Sequence, residues 1–260
     1  MTRRIENDIF IVIIRLIKSP SNHIRIFSGA FMLRERNSQA NISEFMRYLA
    51  AHPEAETGLP ALTELSLELG ISVATLREQL EVARALGLVD VRPRTGIRRL
   101  PYTFLPTIRK SLGYAMNLDD SHFMAFSDLR RHLEAAYWHE AVHQLTEEDQ
   151  QILQNLIARA TNKLHGAPIQ IPHEEHKQLH LTIFRHIDNL FVSGVLEAYW
   201  EAYEAIGLNV YNDINYLQEV WQYHRQMVDA IVNKNYDEGY TALVKHTDLI
   251  YHLYNRPSPK

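Results

Sequence analysis

The stretch from Leu59 to Arg99, LPALTELSLELGISVATLREQLEVARALGLVDVRPRTGIRR, constrains the fold of this chain more than any other. Leu62, Leu65 and Leu69 recur at helical spacing. Gly70 stops that helix, because glycine enters the left-handed region without a Cβ penalty. Ile71 fills the elbow that follows, and Ser72 stands where an N-cap hydroxyl meets orphan backbone amides. A second helix carries Leu76, Leu80 and Ala83 on one face and ends at Gly87. Leu88 to Val91 alternates as a strand, Arg92 to Gly96 reads as a turn, and Ile97-Arg98-Arg99 as the returning strand. A helix-turn-helix backed by a basic two-stranded ribbon has the shape of a DNA-reading head.

The residues Leu59-Pro60, Glu64-Leu65, Leu69-Gly70-Ile71-Ser72, Thr75, Arg77-Glu78, Leu80, Leu86-Gly87-Leu88-Val89 and Gly96 resemble the winged helix-turn-helix of GntR-family bacterial transcription regulators. The resemblance implies that Ser72, Thr75, Arg77, Arg92, Arg94, Gly96 and Arg98 face a double-stranded DNA operator. Two positions depart from the family pattern. Thr63 and Val73 stand where the family usually carries arginines. Arginine supplies both phosphate attraction and bidentate guanine reading, so these losses shift recognition away from the recognition helix, where Arg77 remains, and toward the wing cations Arg92, Arg94, Arg98 and Arg99.

Charge agrees with a local DNA contact. The whole chain has a formal net charge of −4, which argues against indiscriminate coating of nucleic acid. Residues 1–103, however, hold 14 Lys and Arg against 11 Asp and Glu, whereas the remainder hold 13 against 20. A mildly basic head on an acidic body is the expected division. The chain has no cysteine, which rules out disulfides and fits a cytoplasmic setting.

Three domains are expected. Residues 1–38 form an N-terminal extension of unclear role. Its apolar run Ile9–Ile17 is interrupted by Arg15 and falls well short of the roughly 20 residues that span a bilayer. Asp8 and the lack of a small-residue cleavage site argue against a signal peptide, and no membrane partner is expected. Residues 39–103 form the winged domain. Its first helix runs to about Ala51, with Asn41 as N-cap and Glu44 completing a capping box. His52-Pro53 ends it. A linker near Pro101–Pro106 leads into residues 104–256. There, periodicity predicts helices at about 107–116, 120–144, 147–164, 171–188, 190–206, 214–233 and 236–254, with no strand between them. The fold class is mainly α: a winged head followed by an all-helical bundle of six to seven helices.

Histidine is abundant, 14 in all, and four of the fourteen fall on apolar faces. His176 and His180 lie in the stripe of Leu179, Ile183 and Ile187. His224 lies among Val220, Met227, Val228 and Ile231. His246 lies among Gly239, Ala242, Leu243, Leu249, Ile250 and Leu253. His176 and His180 are one helical turn apart and can share an ion. Four buried imidazoles without partners would cost about 1–3 kcal/mol each, and a shared metal removes that cost. Spacing alone leaves a second reading open, in which each histidine is bonded locally within the core.

The body resembles the FadR-like C-terminal FCD domain that accompanies such heads. Asp128-Leu129-Arg130-Arg131-His132-Leu133-Glu134 looks like its Arg-x-x-Leu-Glu signature, and Phe184 to Asn189 looks like the end of its first metal-binding helix. Metal-binding members carry an Asp and a His at i,i+4 and two later histidines about 22 residues apart. His180, His224 and His246 match the three histidines, and His176 occupies the Asp position. The implied cofactor is a divalent metal. An all-imidazole set favours Zn or Ni over Mg or Ca. Arg130 is implied to hold a small carboxylate effector through its guanidinium fork, the alternative being a plain Arg130–Glu134 helix pair.

His139-Glu140-Ala141-Val142-His143 satisfies the H-E-x-x-H pattern of zinc proteases. Both histidines lie on the flank of a stripe formed by Phe126, Leu129, Leu133, Ala136 and Tyr137, and no third ligand follows, so it is read as a decoy.

The expected function is a ligand-responsive transcription regulator, a repressor acting as a homodimer, and not an enzyme. Two further readings stand beside it. One is a regulator whose effector is the metal itself; the other is a metal-dependent enzyme with a vestigial head.

Overall fold

The computed structural model describes residues 42–53, 58–92, 96–207 and 213–254. The N-terminal extension, Asn41 and Arg94 of the wing tip lie outside the described residues. The chain divides into two compact units, one closing at Leu100 and the other continuing from Pro101, with Ala85–Gly87 grouped with the second. The described residues are mainly helical, with one two-stranded antiparallel sheet.

In the head, α1 spans Glu44–Ala51, α2 Leu62–Leu69 and α3 Val73–Ala85, followed by β1 Val89–Arg92 and β2 Gly96–Arg99. Phe45, Leu49, Leu65, Leu76, Leu80, Ala83, Val89 and Ile97 form its core. Gly70 caps α2 at φ 65°, in the left-handed region. The elbow is then closed twice. Ile71 N–H donates to the Ser66 carbonyl at 3.2 Å, and Ser66 Oγ donates to the Ile71 carbonyl at 2.6 Å. Ser72 Oγ accepts from the Thr75 amide at 3.1 Å, the N-cap bond expected of it. The ribbon pairs Val89 with Arg99 and Asp90 with Arg98, and Leu59 N–H joins it by donating to the Ile97 carbonyl.

The start of α1 differs from the sequence expectation. The N-cap is Ser43, whose Oγ accepts from the Met46 amide, and not Asn41. Glu44 therefore sits in the first turn, where its carboxylate accepts from Gln79 Nε2 of α3 at 2.7 Å. Gln79 Oε1 in turn accepts from the Phe45 amide. The helix start thus combines the local Ser43 cap with a tertiary partner, Gln79.

The second unit contains α4 Leu105–Leu118, α5 His122–Gln144, α6 Glu147–Leu164, α7 His173–Ile183, α8 Leu190–Ala205, α9 Ile214–Val232 and α10 Tyr236–Tyr254. Helix α9 packs on α10 and α6, α6 on α7, α5 on α10 and α8, and α8 on α4. Trp138, Leu153, Leu179, Ile183, Met227 and Ile231 centre the larger core, and each such side chain contributes about 1.5–3 kcal/mol by leaving water. Phe123, Tyr199, Trp200 and Tyr203 centre a second, aromatic cluster. Helices α5 and α10 approach closely at Gly239, where a Cβ would lie 2.6 Å from the Trp138 ring.

Two features of this unit depart from the expected pattern. Helix α7 ends at Ile183 and not at 188. The residues beyond it are held by Asp149 near the start of α6, which accepts from Arg185 Nη1 at 2.8 Å and faces His186 Nε2 at 2.7 Å. That tertiary anchor outcompetes continuation of the helix. Helix α5 buries Phe123, Phe126, Ser127, Arg130, Glu134, Trp138, Ala141 and Val142, whereas Leu129 is exposed. The buried face is thus rotated from the one its apolar residues suggest.

Asp149 supports a stability prediction. Burial works against its charged form, but the Thr146 backbone and side chain, His186 and Arg185 together hold the carboxyl well below the usual range. A depressed carboxyl pKa contributes stability above about pH 4 that is lost as pH falls. Asp149→Asn should destabilise the unit by about 2–3 kcal/mol at pH 7 and by less near pH 3, read from urea unfolding at both pH values.

Candidate metal centre

Four histidines from three helices converge in the second unit. Helix α7 supplies His176 and His180 one turn apart, α9 supplies His224 and α10 supplies His246. One ligand atom from each lies within 4.8 Å of the others. His180 Nε2 is 3.2 Å from His224 Nε2 and 3.1 Å from His246 Nε2. Nitrogens at the corners of a tetrahedral site with arms of about 2.0–2.1 Å stand about 3.3 Å apart, so His180 is already at ligand spacing from both His224 and His246. The His176 ring completes the group at 4.6 Å from that of His224.

The surroundings keep these rings neutral. His180, His224 and His246 are buried, and His176 is partly buried. Burial, then the neighbouring imidazoles, push the His176 and His224 pKa values well below the ordinary histidine value. Burial does the same for His246, followed by His180 and Arg130. Neutral imidazole is the ligand form. His176 Nε2, His224 Nδ1 and His246 Nδ1 find no hydrogen-bond partner, which is costly for buried polar atoms. Trp200 stands edge-on to His176 at 4.7 Å, and Trp221 walls His224 at 4.7 Å. The donor set is therefore dry, neutral, nitrogen-only and under-satisfied. These properties fit a divalent ion that prefers imidazole.

Arg130 sits beside this cluster, 5% exposed, with its guanidinium 4.2 Å above the Tyr199 ring. Its Nε donates to Glu134 Oε1 at 3.0 Å, while Nη2 has no partner. Arg130, His176, His246, Tyr199 and Tyr216 line a cavity of about 20 Å³, the space of roughly one water. A much larger groove of about 640 Å³ runs between α4 and α8, lined by Arg109, Met116 and Glu201, and contains none of the four histidines. Size does not outweigh chemistry in choosing between them.

The sequence names Glu134 as part of the Arg-x-x-Leu-Glu signature and as a helix partner of Arg130, but not as a neighbour of the histidines. Glu134 is 1% exposed, and its Oε1 lies 3.2 Å from His180 Nδ1. Neither the signature nor the i,i+4 spacing to Arg130, which also describes an ordinary surface pair, points to His180. His173 was also missed. It stacks on Tyr203 with centroids 5.6 Å apart, and its Nε2 is 3.0 Å from Glu204 Oε1. The H-E-x-x-H residues stay outside the cluster. His139 is exposed with Nε2 2.9 Å from Asp237 Oδ1, and His143 is exposed against the Tyr236 ring.

Residues 126–249, which hold all four histidines together with Arg130 and Glu134, match the family model of the FCD domain. The second unit is an FCD domain. The chain also superposes on a Streptococcus agalactiae GntR protein with a TM-score of 0.61 and 19% identity, over 81% of this chain and 98% of that one. An E. coli McbR/YncC structure aligns over 82% of this chain and 100% of that one, with 18% identity and a TM-score of 0.43. No curated protein is detectably similar in sequence. The chain thus has the fold of a GntR protein with a helical FCD domain. No described helix is long and apolar enough to cross a membrane.

The head residues expected at DNA are placed as follows. Ser72, Thr75, Arg77, Arg92, Gly96 and Arg98 are all exposed. Ser72 Oγ and Thr75 Oγ1 lie 2.9 Å apart, so each hydroxyl already has a neighbour. Arg92 Nε donates to Asp90 Oδ2 at 2.6 Å, an exposed pair worth about 0–1 kcal/mol and easily exchanged for a phosphate. Arg99 is committed differently: its Nη1 donates to the His52 carbonyl at 2.7 Å.

Proposed function

We propose that this chain is a ligand-responsive transcription regulator that binds a double-stranded DNA operator as a cytoplasmic homodimer and represses from it. In this reading the FCD domain holds a divalent metal, Zn or Ni, through His176, His180, His224 and His246. The single observation that carries it is the convergence of four neutral, under-satisfied imidazoles within 4.8 Å. The head would present Ser72, Thr75, Arg77, Arg92, Arg94, Gly96 and Arg98 to the operator.

The bound ion would supply positive charge that attracts an anionic effector. Arg130 would supply the second anchor for a small carboxylate, since its Nη2 is buried without a partner beside His176 and His246. The ion pair to Glu134 and the Tyr199 face hold the guanidinium in place for that role. Such an effector acts only by binding two states of the protein unequally.

One observation favours the closely related reading in which the metal itself is the effector. A cavity of about 20 Å³ accepts an ion and a water, but a carboxylate enters only if the site opens. Metal analysis of the isolated protein, identification of any co-purified acid, and operator footprinting with and without chelator test these readings together. Zn or Ni at one equivalent per chain, with a chelator-sensitive footprint, is the expected result. Failure to protect any genomic fragment would sink the regulator reading.

A further inference from the structure

The four-imidazole set carries no negative charge, yet one carboxylate lies directly behind it. We propose that Glu134 is a positioning residue for the metal centre, orienting His180 from its far side and balancing the charge that a bound cation brings. This inference rests on the metal reading above and adds to it a residue that touches no ion.

The geometry is specific. Glu134 Oε1 is shared between Arg130 Nε at 3.0 Å and His180 Nδ1 at 3.2 Å, the latter an ion-pair separation and not an aligned hydrogen bond. An imidazole has one proton when neutral. Placing it on Nδ1, toward the carboxylate, leaves the lone pair on Nε2. Nε2 is the atom that stands 3.1–3.2 Å from the Nε2 atoms of His224 and His246. The reverse tautomer would aim an N–H into the cluster and a lone pair at a carboxylate. Glu134 therefore selects the ligating form of His180.

The carboxylate is held ready for this. Arg130 Nε, 3.0 Å from Glu134 Oε1, holds it in a buried ion pair. Arg130 is fixed in turn by the Tyr199 and Trp200 faces, at 4.2 and 5.1 Å. Glu134 lies one turn beyond Arg130 on α5, so the rigid helix sets the spacing of both groups. Partners of this type orient a ligating histidine and raise its basicity, and their loss commonly weakens metal binding 10–100-fold.

The test compares the full chain with Glu134→Gln, which keeps shape and removes charge. Zn²⁺ affinity is measured by competition with a chromophoric chelator, and the His180 tautomer is read from imidazole ¹⁵N shifts in the metal-free protein. The expected result is a 10–100-fold loss of Zn²⁺ affinity, with His180 changing from Nδ1–H to a mixture of tautomers. Because Gln leaves Arg130 buried without its anion, the double variant Arg130→Met, Glu134→Gln serves as a second arm that carries no orphan charge. It should show the same loss. Zn²⁺ affinity within twofold of the parent in both variants, or an unchanged His180 tautomer, overturns the proposal. If the parent binds no Zn²⁺, the metal reading fails, and the tautomer arm still decides whether Glu134 orients His180.

Discussion

A His224→Ala chain should bind Zn²⁺ about 100-fold more weakly than the parent. His224 is fully buried and central: its Nε2 is 3.2 Å from that of His180, and its ring is 4.3 Å from that of His246. Structural zinc in zinc-finger peptides is worth about 10–16 kcal/mol over four ligands, so one ligand accounts for roughly 3 kcal/mol. The effect should also appear as stability. A ligand that binds only the folded state raises the melting temperature, so Zn²⁺ should raise that of the parent and barely move that of the variant. The pH dependence has a definite sign. The clustered histidines have folded pKa values below the ordinary value, so the unfolded chain takes up protons first as pH falls. Their contribution to stability is therefore present above about pH 6.5 and lost below it. Protons should displace Zn²⁺ over the same range. An unaltered Zn²⁺ affinity in the variant would remove His224 from the centre.

Arg77→Ala should lower specific operator affinity by about 2–6 kcal/mol, or roughly 30-fold to 10⁴-fold, in a dimer with two heads. The size follows from what the head lacks. Val73 and Thr63 supply no guanidinium, and Arg99 is committed to the His52 carbonyl. Arg92 is shared with Asp90. Among the described residues of the reading face, Arg77 and Arg98 are exposed arginines that make no ion pair in the structure. Titration of an operator fragment at several salt concentrations separates two roles. A phosphate role reduces the salt slope by about one per head and weakens all sequences alike. A base-reading role lowers the ratio of specific to non-specific affinity. Val73→Arg should alter operator preference in the same assay. Equal binding by parent and Arg77→Ala would show that the head does not read DNA through this helix.

The head was legible in the sequence because its determinants are local. Gly70 in a left-handed conformation, Ser72 capping Thr75, and Leu65, Leu76 and Leu80 inside are decided by bonds and faces within a few residues. The same holds for the helices of the body, whose apolar periods place His180, His224 and His246 inward before any packing is known. The FCD resemblance could add the pairing among them, because ligand spacing is also a property of the chain.

Tertiary structure decided what depends on distant partners. At the start of α1, Gln79 of another helix binds both Glu44 and the Phe45 amide, beside the local Ser43 cap. Helix α7 stops at Ile183 because Asp149 holds Arg185 and His186. The largest gap between sequence and structure concerns α5. Its apolar residues point to a face through Leu129, yet the buried face runs through Arg130 and Glu134. Periodicity weighs residues by hydrophobicity and therefore misplaces a face whose burial rests on charge pairing. Sequence alone determined that four imidazoles turn inward. Only packing brought the Nε2 atoms of His224 and His246 within 3.2 Å of that of His180 and placed a carboxylate behind His180, because those contacts join residues 44 to 66 apart in the chain.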